Sequence, residues 1–179
     1  NLDLIQQSEI ISIKSSDEVN SNLLQKLKSI GVKLICLRTT GFDNIDLKSA
    51  QKLGLTVTYV PSYSPESIGE LAIFLMLACL RKIRSIQIEI DKRNYSHNQL
   101  LGKNLNQQKI GIVGTGKIGI ETIKILSNWG CEIIAYDLFP DHSKAKEYGY
   151  KYVLWEELIR SSDIISLHIP YTESNHNII

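Results

Sequence analysis

The nine residues Gly111–Gly119, GIVGTGKIG, constrain this chain more than any other segment. They continue the apolar run Lys109–Val113 and lead straight into a helical pattern. In that pattern Ile118, Thr122, Ile125, Leu126 and Trp129 share one face, and Gly130 ends it. Each glycine has a mechanical use at a strand-to-helix turn. Gly114 permits the tight turn, Gly116 lets another group approach the backbone, and Gly119 lets helix and strand pack closely. Downstream, Cys131–Tyr136 reads as a strand with Asp137 at its tip. A short helix over Ser143–Tyr148, a strand at Lys151–Leu154, a helix over Trp155–Ser161 and a strand at Asp163–Ile169, closed by Pro170, follow. Strand and helix in alternation require a parallel sheet with helices on its faces.

A glycine loop in this setting is a phosphate cradle. The helix start offers unpaired N–H groups and a partial positive charge to an anion. Asp137 follows Gly119 by 18 residues, the spacing at which a carboxylate meets the ribose hydroxyls of a dinucleotide. Its charge would repel a 2′-phosphate and no Arg follows closely, so the pattern predicts NAD rather than NADP. The alternative is a glycine-rich turn that binds nothing. The predicted cofactor residues of the loop are Gly114, Thr115, Gly116 and Gly119, with Asp137 beyond it.

A second strand–helix series precedes the loop. Glu9–Ile13, Lys33–Arg38 and Leu55–Val60 read as strands. Asn20–Ile30 and Asp46–Leu53 read as helices stopped by Gly31 and Gly54. Ser64-Pro65 opens a long helix, with Ser64 as its cap, that the pattern carries through Leu80 and on toward Arg93. Asn94–Gln108 is a polar connection. The expected fold class is α/β: a Rossmann-type doubly wound parallel sheet over residues 63–179, preceded by a partial flavodoxin-like α/β domain over 1–62.

Composition excludes several classes. With 43% apolar and 22% charged residues and a net charge of +1, nothing favours bulk attraction to nucleic acid or to an anionic membrane. The most apolar stretch, Leu71–Leu80, is half the about 20 residues of a membrane span and reads as a buried helix. Cys36, Cys79 and Cys131 lie in apolar stretches without metal spacing, and they read as buried thiols of a cytoplasmic protein. The cluster Asp43-Asn44-Ile45-Asp46 reads as a turn and a helix cap rather than a metal site. His97 and His142 are expected to be exposed, His168 to lie at a strand end near the cofactor cleft, and His176 in the terminal turn. The start at Asn1 without Met and the stop at Ile179 after a polar turn give the expectation of a piece of a longer protein.

Five segments in order resemble the D-isomer-specific 2-hydroxyacid dehydrogenase family, and most of all its D-lactate branch, vancomycin-resistance type included. They are LRTTGFDNIDLKSA (Leu37–Ala50), VPSYSPESIGELA (Val60–Ala72), GIVGTGKIGIETIKIL (Gly111–Leu126), IIAYDLFP (Ile133–Pro140) and DIISLHIPYTESNHNII (Asp163–Ile179). The resemblance implies that the amides of Thr40 and Gly41 hold a substrate carboxylate, with Tyr63 nearby, and that Thr39-Thr40 departs from the small pair usual there. It implies cofactor contacts at Lys117 and Ile118, which follow the glycines and touch the pyrophosphate, and at Ile169, Pro170 and Asn175. It implies a small 2-keto or 2-hydroxy acid substrate, a homodimer through the Ser64 helix, and a catalytic Arg, Glu and His beyond Ile179. No catalytic residue is therefore assigned within the chain, which is expected to be inactive alone. A non-catalytic NAD-sensing corepressor of the same fold stays open as the alternative.

Overall fold

A computed structural model describes residues 5, 7–96 and 100–178; His97 lies outside the described residues. The chain divides into two compact units, Asn1–Tyr63 with Pro170–Ile179, and Ser64–Ile169.

The first unit is built on three parallel strands, β1 (Ile10–Ile13), β2 (Leu34–Leu37) and β3 (Thr56–Thr58), paired in that order. Helix α1 (Ser21–Ser29) starts where the Asn20 side chain accepts from the Leu23 N–H, and α2 (Leu47–Lys52) where Asp46 accepts from Ser49. Their inner faces bury Leu24, Leu27 and Ala50 against Ile13, Ile35 and Leu37. Asp46 is thus a helix cap, and Asn44 ties its loop back to the carbonyls of Lys14 and Asp17.

In the second unit, β4 (Lys109–Val113), β5 (Glu132–Tyr136), β6 (Lys151–Tyr152) and β7 (Ile164–Leu167) form a wholly parallel sheet in the order β6-β5-β4-β7. The first strand stands inside the sheet and the later ones are added to either side, which is the doubly wound topology and puts a crevice at the end of β4. Strand alternation sends Ile110 and Ile112 to one face and Gly111 and Val113 to the other. On the first face they meet α3 (Pro65–Leu80) and α5 (Lys117–Asn128) in a core that holds Ile73, Met76, Ile120, Ile123 and Leu126. On the second face Val113 packs with Leu158 of α7 (Trp155–Ser161). That helix lies so close that a Cβ on Gly111 would come within 2.9 Å of the Leu158 side chain. Helix α6 (His142–Tyr148), capped by Asp141, covers the first face beside β5.

Five expectations are corrected. The helix from Ser64 does not run unbroken toward Arg93. It stops at Leu80, and α4 (Ile83–Asp91) begins after Lys82, whose φ of 53° is left-handed. Ser64 stands at the start of α3 with φ 47° and gives no side-chain cap; its hydroxyl pairs with Ser67 instead. Arg93, past the end of α4, is left-handed too, at φ 56°. Nor is Leu71–Leu80 a buried helix: Leu71, Phe74 and Leu75 are 54%, 60% and 53% exposed, because α3 turns only Gly69, Ile73 and Met76 fully inward. The buried face of α5 is Gly119, Ile120, Thr122, Ile123 and Leu126, so that only Thr122 and Leu126 of the expected stripe are fully buried, and Trp129 is exposed. Finally, Cys79 is exposed and the other two thiols are half-buried; all three are free.

Leu126 has no exposed surface and sits between the sheet and α3. Leu126→Ala is expected to lower the unfolding free energy by about 2–5 kcal/mol in urea titration, with an unchanged denaturant slope.

Candidate functional site

The crevice at the end of β4 is built by glycine backbone. Gly114 leaves the strand with φ 91°, and its N–H donates to the Tyr136 carbonyl at 2.8 Å. On the other side the His168 N–H donates to the Val113 carbonyl at 2.7 Å. A Cβ on Gly114 would lie 2.6 Å from the His168 carbonyl oxygen, and one on Gly119 would collide with the carbonyl of Gly114. Both glycines thus have reasons inside the protein. Gly116 has none: its φ is −68° and no protein atom stands within 4 Å of a Cβ placed there. The space in front of it is open, and it caps α5 without a side chain. The first-turn N–H groups of Lys117, Ile118 and Gly119 therefore lack partners within the helix and face an anion-binding position.

Asp137, at the tip of β5, is held to this loop. Its Oδ2 accepts from the Thr115 N–H at 2.6 Å and from the Thr115 hydroxyl at 2.9 Å, and its Oδ1 accepts from the Phe139 N–H at 2.9 Å. Burial raises the carboxyl, but the donors Phe139, Thr115 and Leu138 outweigh it and hold the group below the usual carboxylate value. Asp137 is therefore an anion throughout the neutral range. A cavity of about 400 Å³ beside it is lined by Tyr136, Asp137, Pro140, Tyr152 and Leu154.

Of the other residues singled out, Ile169 ends the second unit, half-buried, with its Cγ2 within 2.8 Å of a Cβ built on Gly114. His168 is half-buried, its Nε2 is 3.0 Å from the Ser166 hydroxyl, and burial pushes its imidazole below the ordinary value. His142 is exposed, as expected, and opens α6, and His176 follows a 3-10 turn over Glu173–Asn175. In the first unit, Asn175 donates to the Pro170 carbonyl at 2.7 Å and accepts from the Thr172 N–H. Thr40 and Gly41 are both exposed, on a loop held by the half-buried Thr39, whose hydroxyl donates to the Gly41 carbonyl. Tyr63 is 63% exposed. The structure brings the loop glycines, Thr115, Asp137 and Ile169 together within one unit; Thr40, Gly41, Tyr63, Pro170 and Asn175 belong to the other.

Residues 73–179 match the family described as D-isomer specific 2-hydroxyacid dehydrogenase, NAD binding domain. The chain belongs to this family. A 2-hydroxyacid dehydrogenase homolog of Haemophilus influenzae is 39% identical over 98% of the chain and 53% of its own length. The D-lactate dehydrogenase of Escherichia coli is 38% identical over 96% of the chain and 52% of its own length. The chain thus spans about half the length of the curated relatives it matches. Among solved structures, the apo D-lactate dehydrogenase of Escherichia coli superposes with a TM-score of 0.86 at 37% identity, over 98% of this chain and 55% of that one. The Aquifex aeolicus D-lactate dehydrogenase, complexed with NAD and lactic acid, superposes with a TM-score of 0.88 at 34% identity, over 98% and 52%.

The cofactor of this family's domain is NAD, and the residues present fit it. Gly116 clears the approach of the pyrophosphate, the uncapped start of α5 supplies N–H donors, and Asp137 supplies an anionic acceptor for a ribose. The sequence reading missed the tyrosines behind Asp137. The Tyr152 hydroxyl lies 2.7 Å from Thr115 Oγ1 and 3.1 Å from the Tyr150 hydroxyl. Their spacing of two at the entry to β6, which puts both rings on one side, was the available signal.

The glycines separate folding from binding. Gly116→Ala is expected to keep the melting temperature within a few degrees while weakening NAD⁺ about tenfold or more in titration calorimetry. Gly119→Ala is expected to lose about 1–3 kcal/mol of stability, because its Cβ must push α5 off β4.

Proposed function

We propose that the whole protein is an NAD-dependent oxidoreductase interconverting a pyruvate-like 2-keto acid and a D-lactate-like 2-hydroxy acid. The observation that carries this is the NAD cradle of Gly114, Gly116, Gly119 and Asp137, standing in a chain of the D-isomer specific 2-hydroxyacid dehydrogenase family. Relatives named D-lactate dehydrogenase and aromatic 2-oxoacid reductase support the substrate class. Residues 63–179 serve in this reading as the NAD-binding domain and residues 1–62 as part of a substrate domain.

NAD supplies the hydride acceptor when bound. The protein orients it: Lys117, Ile118 and the loop amides take the pyrophosphate, Asp137 the ribose, and Ile169, Pro170 and Asn175 the adenine side. In the first unit, the amides of Thr40 and Gly41 donate no hydrogen bond among the described residues, which suits them to a substrate carboxylate, with Tyr63 beside it. No catalytic acid or base is assigned to a residue of this chain. Reduction of 2-keto acids by the full-length protein, followed by NADH absorbance at 340 nm, is the test. Turnover of pyruvate or a larger 2-keto acid is expected; NADH binding without turnover of any would sink the enzyme reading.

The protein is proposed to be a homodimer in the cytoplasm. Among the described residues no helix is long and apolar enough to cross a membrane. The three free thiols suit a reducing compartment. The outer face of α3 presents Ile68, Leu71, Phe74 and Leu75, and α4 adds Ile83, Ile88 and Ile90, an apolar surface a second copy would cover. Light scattering is expected to give a dimer that Phe74→Asp converts to a monomer; a monomeric wild type would defeat it.

A further inference from the structure

The hydroxyls behind Asp137 form a chain whose direction follows from the proton count. Thr115 Oγ1 donates its one proton to Asp137 Oδ2 at 2.9 Å. At its 2.7 Å contact with the Tyr152 hydroxyl, Thr115 must then accept and Tyr152 donate. The Tyr152 oxygen is left to accept, from the Asp141 N–H at 3.0 Å and from the Tyr150 hydroxyl at 3.1 Å. Burial and the Tyr152 hydroxyl push the Tyr150 phenol far up, so it remains a donor. Three hydroxyls thus point one way, from Tyr150 to Tyr152 to Thr115, and end on a single carboxylate oxygen. The rings are fixed as well. Tyr152 packs edge-on against Tyr150 at 5.3 Å and against His142 at 5.5 Å.

We propose that Tyr152 is a positioning residue for Asp137: acting through Thr115, it ties Oδ2 back into the glycine loop and leaves Oδ1 as the oxygen offered to a ribose hydroxyl. Oδ2 already carries two hydrogen bonds, both from Thr115, while Oδ1 carries the one from Phe139. A carboxylate held in this way cannot swing aside to admit a 2′-phosphate, so the tyrosine contributes to the choice of NAD over NADP. The inference rests on the reading of this crevice as the NAD site, and it adds a residue outside both the glycine loop and the strand tip.

Tyr152→Phe keeps the ring and removes the donated proton. In titration calorimetry of the full chain it is expected to weaken NAD⁺ about 3- to 10-fold and to leave NADP⁺ within about twofold, so that the preference narrows. In an Asp137→Asn background the same substitution is expected to change NAD⁺ affinity no further. Equal weakening of both dinucleotides, or an undiminished effect in that background, would overturn the proposal. A ligand-free measurement separates it from the cofactor reading. Amide hydrogen exchange at Thr115 is expected to quicken about tenfold in Tyr152→Phe while Ile112 stays unchanged. Unchanged exchange at Thr115 would overturn the positioning role whatever the affinities. Faster exchange in a protein whose wild type fails to bind NAD⁺ would support that role and sink the cofactor reading. Should Tyr152→Phe not fold, Thr115→Ala breaks the chain at its other end, and the same narrowing and the same faster exchange at position 115 are expected.

Discussion

Helix α5 comes down on the end of β4 until the backbone of Gly119 lies against the carbonyl of Gly114. No side chain fits between them, and most of the second unit is arranged around that contact. With the helix so close, Ile120, Ile123 and Leu126 reach Ile110 and Ile112 and are removed from water, each worth about 1.5–3 kcal/mol. On its other flank α5 meets α3 at Gly69, where a Cβ would lie 3.2 Å from the Thr122 amide. The same approach brings the uncapped N–H groups of the first turn to the mouth of the sheet. It also sets Thr115 beside the tip of β5, within hydrogen-bonding reach of Asp137. Packing and binding thus share one geometric condition.

Most of the element order could be read from the sequence, for identifiable reasons. β4 and β5 are apolar on both faces because both are covered, and their bounds fell within a residue of expectation. Asn20, Asp46 and the glycines after α1, α2, α5 and α6 punctuate the chain chemically. What failed was burial. The apolar run Leu71–Leu80 gives no periodicity from which to choose an inner face, and the choice of Ile73 and Met76 comes from where α5 lies. The break at Lys82 was hidden for a related reason: no Gly or Pro marks it, and the left-handed turn is made by a lysine.

The site divides in the same way. Gly114, Gly116, Gly119 and Asp137 were legible because backbone approach and a lone carboxylate leave traces in residue type and spacing. Thr115 was named for its position between the glycines, not for the two bonds it makes to Asp137. Tyr150 and Tyr152 left only a weak trace as site residues, their spacing of two. Aromatic residues in or beside a short strand look like core, and only the pairing of β6 with β5 brings the Tyr152 hydroxyl to Thr115.

Three left-handed residues, Ser64, Lys82 and Arg93, stand at the start of α3, between α3 and α4, and after α4. Glycine would adopt those angles freely, whereas each of these side chains costs on the order of 1 kcal/mol there. Glycine would also admit many other directions for the chain. The strain is therefore the counterpart of stiffness: the α3–α4 arm is joined at corners that resist rearrangement, and the apolar surface it carries is held as one fixed shape rather than as a set of alternatives.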